Sequence, residues 1–234
     1  MTGKILSALK AAFPYTVPVM TGYLFLGISY GIYMNVSGFS FLYPLLMSIV
    51  IFGGSLEFLA VSLLLSTFAP LQTFFFALVI QARHLFYGLA MLEKYKETGL
   101  KKPYLIFALT DETFSVNCST TVPEGIDRGW FYFGVSLFDQ CYWVTGATLG
   151  GILGSFIPFN TEGLDFVMTA MFTVIFLEQL LKEKKHYTAI IGLVSSVLCL
   201  VIFGSESFII PTMVCIFAML TFFRKPIEKA GGFE

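Results

Sequence analysis

The chain has 234 residues, of which 56% are hydrophobic and 12% are charged, whereas a soluble domain carries about 25% charged residues. A mean hydropathy of +0.81 excludes an ordinary soluble domain, and a formal net charge of -1 excludes the basic surface that nucleic-acid binding requires. The composition predicts an integral, multi-pass membrane protein surrounded by lipid.

Charged and turn residues divide the sequence into eight apolar segments of helical length. A helix needs about 20 residues to cross the hydrocarbon core of a bilayer. The connections are too short to hold a soluble domain, so residues 1–234 are expected to form a single membrane domain. The segments are 13–34, 38–66, 71–92, 104–121, 130–156, 163–181, 187–203 and 207–223.

Two of these segments are unusual. Segment 38–66 is long and contains Gly53 and Gly54 just before Glu57, which predicts a helix interrupted beside a buried carboxyl group. Segment 104–121 carries Asp111 and Glu112 among several hydroxyl residues and is too polar to face lipid. It is expected either to lie inside the bundle or to enter and leave the membrane on one side.

The basic residues predict the orientation, because loops rich in lysine and arginine remain in the cytoplasm. They cluster at 94–102, 182–185 and 224–229. These regions share one side only if segment 104–121 does not cross, which gives seven spans with the N-terminus outside and the C-terminus inside. Lys4 and Lys10 do not fit this arrangement, so eight spans remain the alternative.

Residues 38–52 resemble residues 163–176, and the two halves of the chain have opposite patterns of basic loops. An inverted repeat, which is common in secondary transporters, and chance similarity between apolar segments are the two explanations. The expected fold is therefore all-α, a polytopic transmembrane helix bundle of seven or eight segments with interrupted helices and, on the first explanation, an inverted repeat.

Arg83 and His84 lie inside an apolar segment, where a charged group costs at least about 2.5 kcal/mol and marks a candidate functional residue. On a helix, Arg83 shares one face with Tyr87, and His84 lies on the adjoining face, so this side is expected to face the interior. Arg83 is either a substrate or coupling residue or one half of a structural ion pair with Glu57 or Asp111. His84 is either a proton-relay residue, because imidazole titrates near neutral pH, or a structural hydrogen-bonding residue.

Segment 130–156 carries Asp139 followed by a stripe of small residues. Gly146, Gly150 and Gly154 recur at intervals of four, which predicts close packing of a second helix. Asp139 is either a buried interhelical hydrogen-bonding residue or a residue with a direct role in coupling.

Enzyme motifs are absent from the sequence. GGSLEF is not a nucleophile elbow, and there is no metalloprotease motif or phosphate-binding loop. The four cysteines stand alone in apolar segments without zinc-ligand spacing. The chain is therefore expected not to be an enzyme and to hold no metal or cofactor.

Several stretches resemble the AzlC family of branched-chain amino acid exporters, the large permease subunit of a two-component system. ARHLFYG at 82–88 together with LTDETFS at 109–115 is the most specific combination. Members commonly have Asn before this A-R-H and often Gln at the position of Glu57, whereas this chain has Gln81 and Glu57. The resemblance covers nearly the whole chain and includes FPYTVPVMTGYLFLGISYG, FGGSLEF, DRGWFYF, DQCYWVTG and GLDFVMTAMF.

The resemblance implies export of leucine, isoleucine, valine and analogues across the cytoplasmic membrane, together with a small AzlD-type membrane subunit. A zwitterionic substrate needs a cation for its carboxylate, an acceptor for its ammonium group and an apolar pocket. Arg83 suits the first need, and Glu57 or Asp111 the second. The alternative is a membrane sensor or scaffold that binds an amino acid without transporting it. The expected site residues are Arg83, Glu57, Asp111 and Tyr87 for the substrate, and His84, Glu112 and Asp139 for proton coupling.

Overall fold

The structure, a computed structural model, describes residues 2–67, 69–156, 186–204 and 208–223, with residues 173, 176, 177, 180 and 181. They belong to two compact units, Met1–Leu164 and Asp165–Glu234. Most of the predicted segment 163–181, and the basic residues at 182–185 and 224–229, lie outside the described residues. The proposed repeat and the number of segments in the whole chain therefore stay predictions.

All regular secondary structure in the described residues is helical, which confirms the predicted all-α class. Among the residues that the structure describes, one helix, Gly3–Val36, is long and apolar enough to cross a membrane by itself, and Gly54–Leu65 and Ala189–Phe203 are shorter apolar helices. The first unit contains α1 (Thr2–Val36), α2 (Leu42–Val50), α3 (Gly54–Leu65), α4 (Pro70–Ile80), α5 (Ala82–Ala90), a 3₁₀ turn (Gly99–Lys101), α6 (Lys102–Phe107), α7 (Asp111–Ser119) and α8 (Arg128–Gly154), and the second contains α9 (Tyr187–Phe203) and α10 (Ile209–Phe222).

Helices α1 and α8 pack side by side and run in the same direction. Ala12 lies against Gly134 near their N-terminal ends, and Asn35 lies against Gly154 near their C-terminal ends. Between these points the backbones touch, because a Cβ added to Gly31 would lie 2.1 Å from the carbonyl oxygen of Ala147. The glycine stripe on α8 thus packs against α1 within the same chain, so it is not a free surface for a partner subunit.

Three predicted segments are each broken into two helices. The break expected before Glu57 is present at residues 51–53, and segment 104–121 is broken at residues 108–110. Segment 71–92, expected to be one continuous helix, is instead interrupted at Gln81. Glycine explains the break at residues 51–53. No residue of low helix propensity stands at Gln81, so tertiary contacts set the break there.

Helices α2 and α3 form a hairpin that opens toward the C-terminal ends of α1 and α8. Phe41, just before α2, lies against Gly151, whereas the carbonyl of Ile49 near its end accepts a hydrogen bond from Gln140 Nε2 at 3.1 Å. Helix α3 then returns, because the ring of Phe58 stacks against Tyr33 near the end of α1.

Helices α6 and α7 form a second hairpin, which opens toward the opposite end. Leu105 of α6 belongs to a buried cluster with Tyr95 and Phe131, beside the start of α8. Helix α7 returns to this end, where Asn117 Nδ2 donates to the hydroxyl of Tyr95 at 2.9 Å and Lys94 Nζ donates to the carbonyl of Asn117 at 3.0 Å.

The start of α1 and the basic loop 93–103 lie at the same end of this unit. Ala12 of α1 packs in the same buried cluster as Met91, Tyr95 and Leu105. The structure thus places the N-terminus and this loop at one end of the unit, whereas the seven-span arrangement predicts them on opposite sides of the membrane. That arrangement counts segment 38–66 as a full crossing, whereas α2 and α3 turn back to the end from which they started.

The outer faces of these helices are apolar. On α4 and α5, Leu71, Phe74, Leu85 and Leu89 are 71%, 58%, 66% and 64% exposed. Apolar exposure on this scale is unfavourable in water and is expected where a helix faces lipid or another membrane subunit.

Candidate functional site

The first turns of three helices meet at the side chain of Arg83. Arg83 is the second residue of α5, and its Nη2 lies 3.0 Å from Oδ2 of Asp111, the first residue of α7. The same nitrogen donates a longer hydrogen bond, 3.4 Å, to the hydroxyl of Ser55, the second residue of α3. The interruptions therefore place a cation, an anion and a hydroxyl group at one point.

The tips of the two hairpins are also in contact. Phe52, at the first tip, has a positive φ of 45°, which is strained for a bulky side chain. Its ring lies 6.5 Å from that of Phe107 in the second hairpin and 6.4 Å from that of Tyr23 in α1. Beside it, a Cβ on Gly53 would lie 2.0 Å from Nε2 of Gln81, so glycine lets the breaks at residues 51–53 and at Gln81 approach each other.

Glu57 does not pair with Arg83. Its carboxyl group is fully buried, and Oε1 accepts hydrogen bonds from the backbone N–H of Gly53 and from Nε1–H of Trp143, both at 3.0 Å. The bond to Gly53, the N-cap of α3, satisfies a donor at the helix start. Oε2 is buried and has no hydrogen-bond partner among the described residues.

A chain of hydroxyl groups joins Glu112 to Asp139. Tyr23 donates to Glu112 Oε2 at 2.7 Å and contacts Thr110 Oγ1 at 2.6 Å. Thr110 donates to Thr113 Oγ1 at 3.0 Å, and Thr113 donates to Asp139 Oδ2 at 2.7 Å. The chain crosses from α7 to α1, back to α7, and then to α8.

The remaining predicted residues lie at the edge of this region. Tyr87 stacks on Phe114 at 4.4 Å between ring centroids, and His84 lies 5.6 Å from Tyr87. His84 is outside the hydroxyl chain. The structure thus brings Arg83, Asp111 and Tyr87 together, joins Glu112 to Asp139, and places Glu57 on Trp143 instead.

Solvent exposure separates the charged groups into two classes. The side chains of Arg83 and Asp111 are 36% and 33% exposed, whereas Glu57 and Asp139 are both fully buried. The ion pair is thus partly exposed, whereas the two buried carboxyl groups are enclosed by other side chains. Nε of Arg83 is buried and has no hydrogen-bond partner among the described residues, so the guanidinium retains unused donor capacity.

Sequence reasoning missed Tyr23 and the role of Trp143. Tyr23 lies in the apolar helix α1, seven residues before Tyr30 and thus on nearly the same face, and that regular spacing of tyrosines was the available signal. Thr110 and Thr113 were noticed as part of a polar segment, but their contacts with Tyr23 and Asp139 depend on the tertiary packing of α1 and α8.

Together the helices, their apolar outer faces and the polar site at their interruptions define a helical membrane protein with an internal polar centre. A model of the AzlC protein family matches residues 18–157, which include every site residue described above. The chain therefore belongs to the AzlC family.

Three relatives extend the match to most of the chain. It is 56% identical to the "Branched-chain amino acid transport protein AzlC" of Bacillus subtilis strain 168, over 97% of this chain and 89% of that protein. Two further relatives are each named "Uncharacterized membrane protein". The one from Haemophilus influenzae is 48% identical over 93% of this chain and 89% of its own length. The one from Helicobacter pylori strain 26695 is 37% identical over 96% of this chain and 99% of its own length. No solved structure matches the chain.

Proposed function

We propose that this chain is a secondary transporter that exports branched-chain amino acids across the cytoplasmic membrane. The observation that carries the proposal is the convergence of three helix starts on Arg83, at the tips of two oppositely directed hairpins. Interrupted helices around a polar centre are typical of secondary transporters. The similarity to a branched-chain amino acid transport protein supports the substrate class, and the direction of transport rests on the family resemblance.

The charges at the site suit a zwitterion. Arg83 binds the substrate carboxylate, because its planar guanidinium can form two parallel hydrogen bonds and remains charged in an apolar environment. Asp111, its partner in the structure, accepts the ammonium group when the ion pair opens. Tyr87 lies beside this pair, and the exposed ring of Phe107, packed on Phe52 at the hairpin tips, supplies apolar surface for the substrate side chain.

We also propose how the first unit lies in the membrane. α1, α4 with α5, and α8 cross, whereas the α2–α3 and α6–α7 hairpins enter from opposite sides and meet near the midplane. The basic residues Lys4, Lys10, Lys94 and Lys96 then all lie on the cytoplasmic side, which removes the conflict with the positive-inside pattern.

A small AzlD-type membrane subunit is proposed as the partner. This proposal rests on the family resemblance, because the glycine stripe on α8 is covered by α1 and offers no surface to a partner. The exposed apolar face of α4 and α5 offers surface to such a subunit or to lipid. Purification of the chain with and without the small subunit, followed by transport assays on both samples, tests it, and full transport by the chain alone would contradict it.

Counterflow in reconstituted vesicles tests the main proposal. Vesicles preloaded with unlabelled leucine should accumulate radiolabelled leucine or valine, and glycine or lysine should compete poorly because they lack a branched apolar side chain. Binding of leucine without counterflow would instead indicate a sensor. Arg83→Lys is the matched variant, because it keeps the positive charge but loses the planar fork.

A further inference from the structure

We propose that Glu112 and Asp139 share a single proton, which moves between them through the hydroxyl groups of Tyr23, Thr110 and Thr113. The inference deepens the proposed transport function and rests on it for its physiological role. The proton chain itself rests on the hydrogen-bond geometry alone. It would give the transporter a proton route from α7 to the fully buried carboxyl group of Asp139 in α8.

Counting hydrogens shows why the chain needs a hydrogen from a carboxyl group. The chain has four oxygen-to-oxygen contacts, from 2.6 to 3.0 Å, but its three hydroxyl groups carry only three hydrogens. When Tyr23 donates to Glu112 and Thr110 donates to Thr113, the shortest contact, 2.6 Å between Tyr23 and Thr110, contains no hydrogen. Two lone pairs at that distance repel each other. One carboxyl hydrogen gives every contact a donor.

Two arrangements of the chain satisfy the count. In the first, Glu112 is protonated and donates to Tyr23, Tyr23 donates to Thr110, Thr110 to Thr113, and Thr113 to ionised Asp139. In the second, every donor is reversed, Asp139 is protonated and Glu112 is ionised. Each hydroxyl releases one hydrogen and receives one during the exchange, so one proton is transferred and no other reactant is consumed. Rotation of the hydroxyl groups restores the starting orientation.

Three consecutive residues of α7 connect this chain to the ion pair. Asp111 contacts Arg83 in α5, Glu112 contacts Tyr23 in α1, and Thr113 contacts Asp139 in α8. A displacement of α7 that separates Asp111 from Arg83 to admit a substrate therefore also opens the proton chain. Proton transfer and substrate binding are thereby coupled through one short helix.

Other ionisable groups face both ends of the chain. Asp111 and Arg83, which carry opposite charges, both lie near the carboxyl group of Glu112. Tyr104 and Glu112 lie near Asp139. The second carboxylate oxygen of Asp139 is buried and has no hydrogen-bond partner among the described residues, so the chain ends there.

Infrared spectroscopy of the purified protein tests the shared proton without any transport assay. At a pH low enough to protonate every carboxyl group, the double variant Glu112→Gln/Asp139→Asn should lack the C=O band intensity of two protonated carboxyl groups. At neutral pH it should lack half of that intensity. Loss of the whole amount would mean two protons, and no loss would mean none, and either result overturns the proposal. Glu93→Gln/Glu97→Gln, in the exposed loop, is the matched control and should remove none at neutral pH.

Transport tests the role of the chain. Tyr23→Phe keeps the ring contacts with Phe52 and Trp143 but removes the hydroxyl group. It should reduce leucine movement driven by a pH gradient at least about tenfold, while counterflow, which needs no net proton transfer, falls less than about threefold. Thr113→Val should behave in the same way, and Thr113→Ser should restore gradient-driven transport.

Tyr142→Phe is the control for this assay, since Tyr142 contacts Thr16 between the same two long helices but lies outside the chain. Gradient-driven transport by Tyr23→Phe and Thr113→Val at the wild-type rate would overturn the proposed role. Absence of counterflow in the wild-type protein would instead reject the transport function, and the infrared result would still decide whether the pair holds a single proton.

Discussion

Arg83 Nη2 and Asp111 Oδ2 lie 3.0 Å apart and join the first turns of α5 and α7. Both side chains are about one-third exposed, so each partner is only partly desolvated within the protein. An ion pair at a helix interruption can close the site when no substrate is bound and separate when a zwitterion offers both charges. The same geometry also fits a structural tie between two helices, and mutation can distinguish the two roles.

Neutralising both members of the pair separates a binding role from a structural one. Arg83→Gln and Asp111→Asn should each reduce counterflow of leucine at least about tenfold, and the double variant should recover none of it, because the substrate has lost its carboxylate partner. Arg83→Lys should also reduce counterflow at least about tenfold while the protein remains folded in detergent.

The matched control is Ser55→Ala, which removes only the 3.4 Å hydrogen bond from Arg83. It should change counterflow less than about threefold, since so long a bond contributes little. Recovery of transport in the Arg83→Gln/Asp111→Asn double variant would identify the pair as a structural tie.

The carboxyl group of Glu57 should be required for stability through its oxygen atoms rather than its charge. Glu57→Gln keeps an acceptor for Gly53 N–H and Trp143 Nε1–H and should alter the free energy of unfolding by about 1 kcal/mol or less. Glu57→Leu leaves both buried donors unpaired and should lower it by roughly 2–6 kcal/mol, at about 1–3 kcal/mol per group.

Tryptophan fluorescence provides a local measurement of this effect. The chain has two tryptophans, so a Trp130→Phe background reports Trp143 alone. Its emission should shift in Glu57→Leu and remain in place in Glu57→Gln. Equal thermal stability and equal emission of the two variants would show that the Glu57–Trp143 hydrogen bond is unimportant. Glu97→Leu, at an exposed loop position, is the control for loss of a carboxylate.

Close backbone contact between α1 and α8 makes Gly31 a sensitive position. In Gly31→Ala the new methyl group would lie 2.1 Å from Ala147 O and 2.4 Å from Gly151 N, and neither backbone atom can move without its helix. We expect a loss of about 3 kcal/mol, measured as a lower temperature of aggregation in detergent and a smaller monodisperse peak. Gly22→Ala, on the same helix with nothing within 4 Å, should be neutral or slightly stabilising. Similar behaviour of the two variants would mean that α1 and α8 are not in close contact.

Sequence patterns predicted the helical class, the interruption at Gly53 and the interior direction of Arg83. These features depend on local composition and on helical periodicity, which a single sequence displays. The partner of Arg83 was left open between Glu57 and Asp111, because both are intramembrane carboxyl groups and sequence spacing cannot rank them. In the structure the partner of Arg83 is Asp111, which starts the helix that faces Arg83, because Glu57 is buried beside Trp143.

The return of segment 38–66 as a hairpin could not be predicted, for a different physical reason. A segment of about 28 residues has the hydropathy of a crossing helix whether it crosses or returns as a hairpin, so hydropathy alone does not distinguish them. Only the contacts of Phe41 and Phe58 with the same end of α1 and α8 reveal that α2 and α3 return. Lys4 and Lys10, which did not fit the seven-span arrangement, were the one sequence signal that favoured placing the N-terminus on the same side as loop 93–103.

Cysteine labelling in intact cells tests this revised orientation. In a background without Cys118, Cys141, Cys199 and Cys215, Lys10→Cys and Lys96→Cys should both be protected from an impermeant thiol reagent and should react after the membrane is permeabilised. Both positions are exposed and lie near the buried cluster of Ala12 and Tyr95, at the end of the unit that carries the basic residues. Ser40→Cys, exposed in the turn at the opposite end, is the matched control and should react in intact cells. If position 10 reacted from outside while position 96 remained protected, α1 would cross in the opposite direction, and its parallel packing with α8 would be wrong.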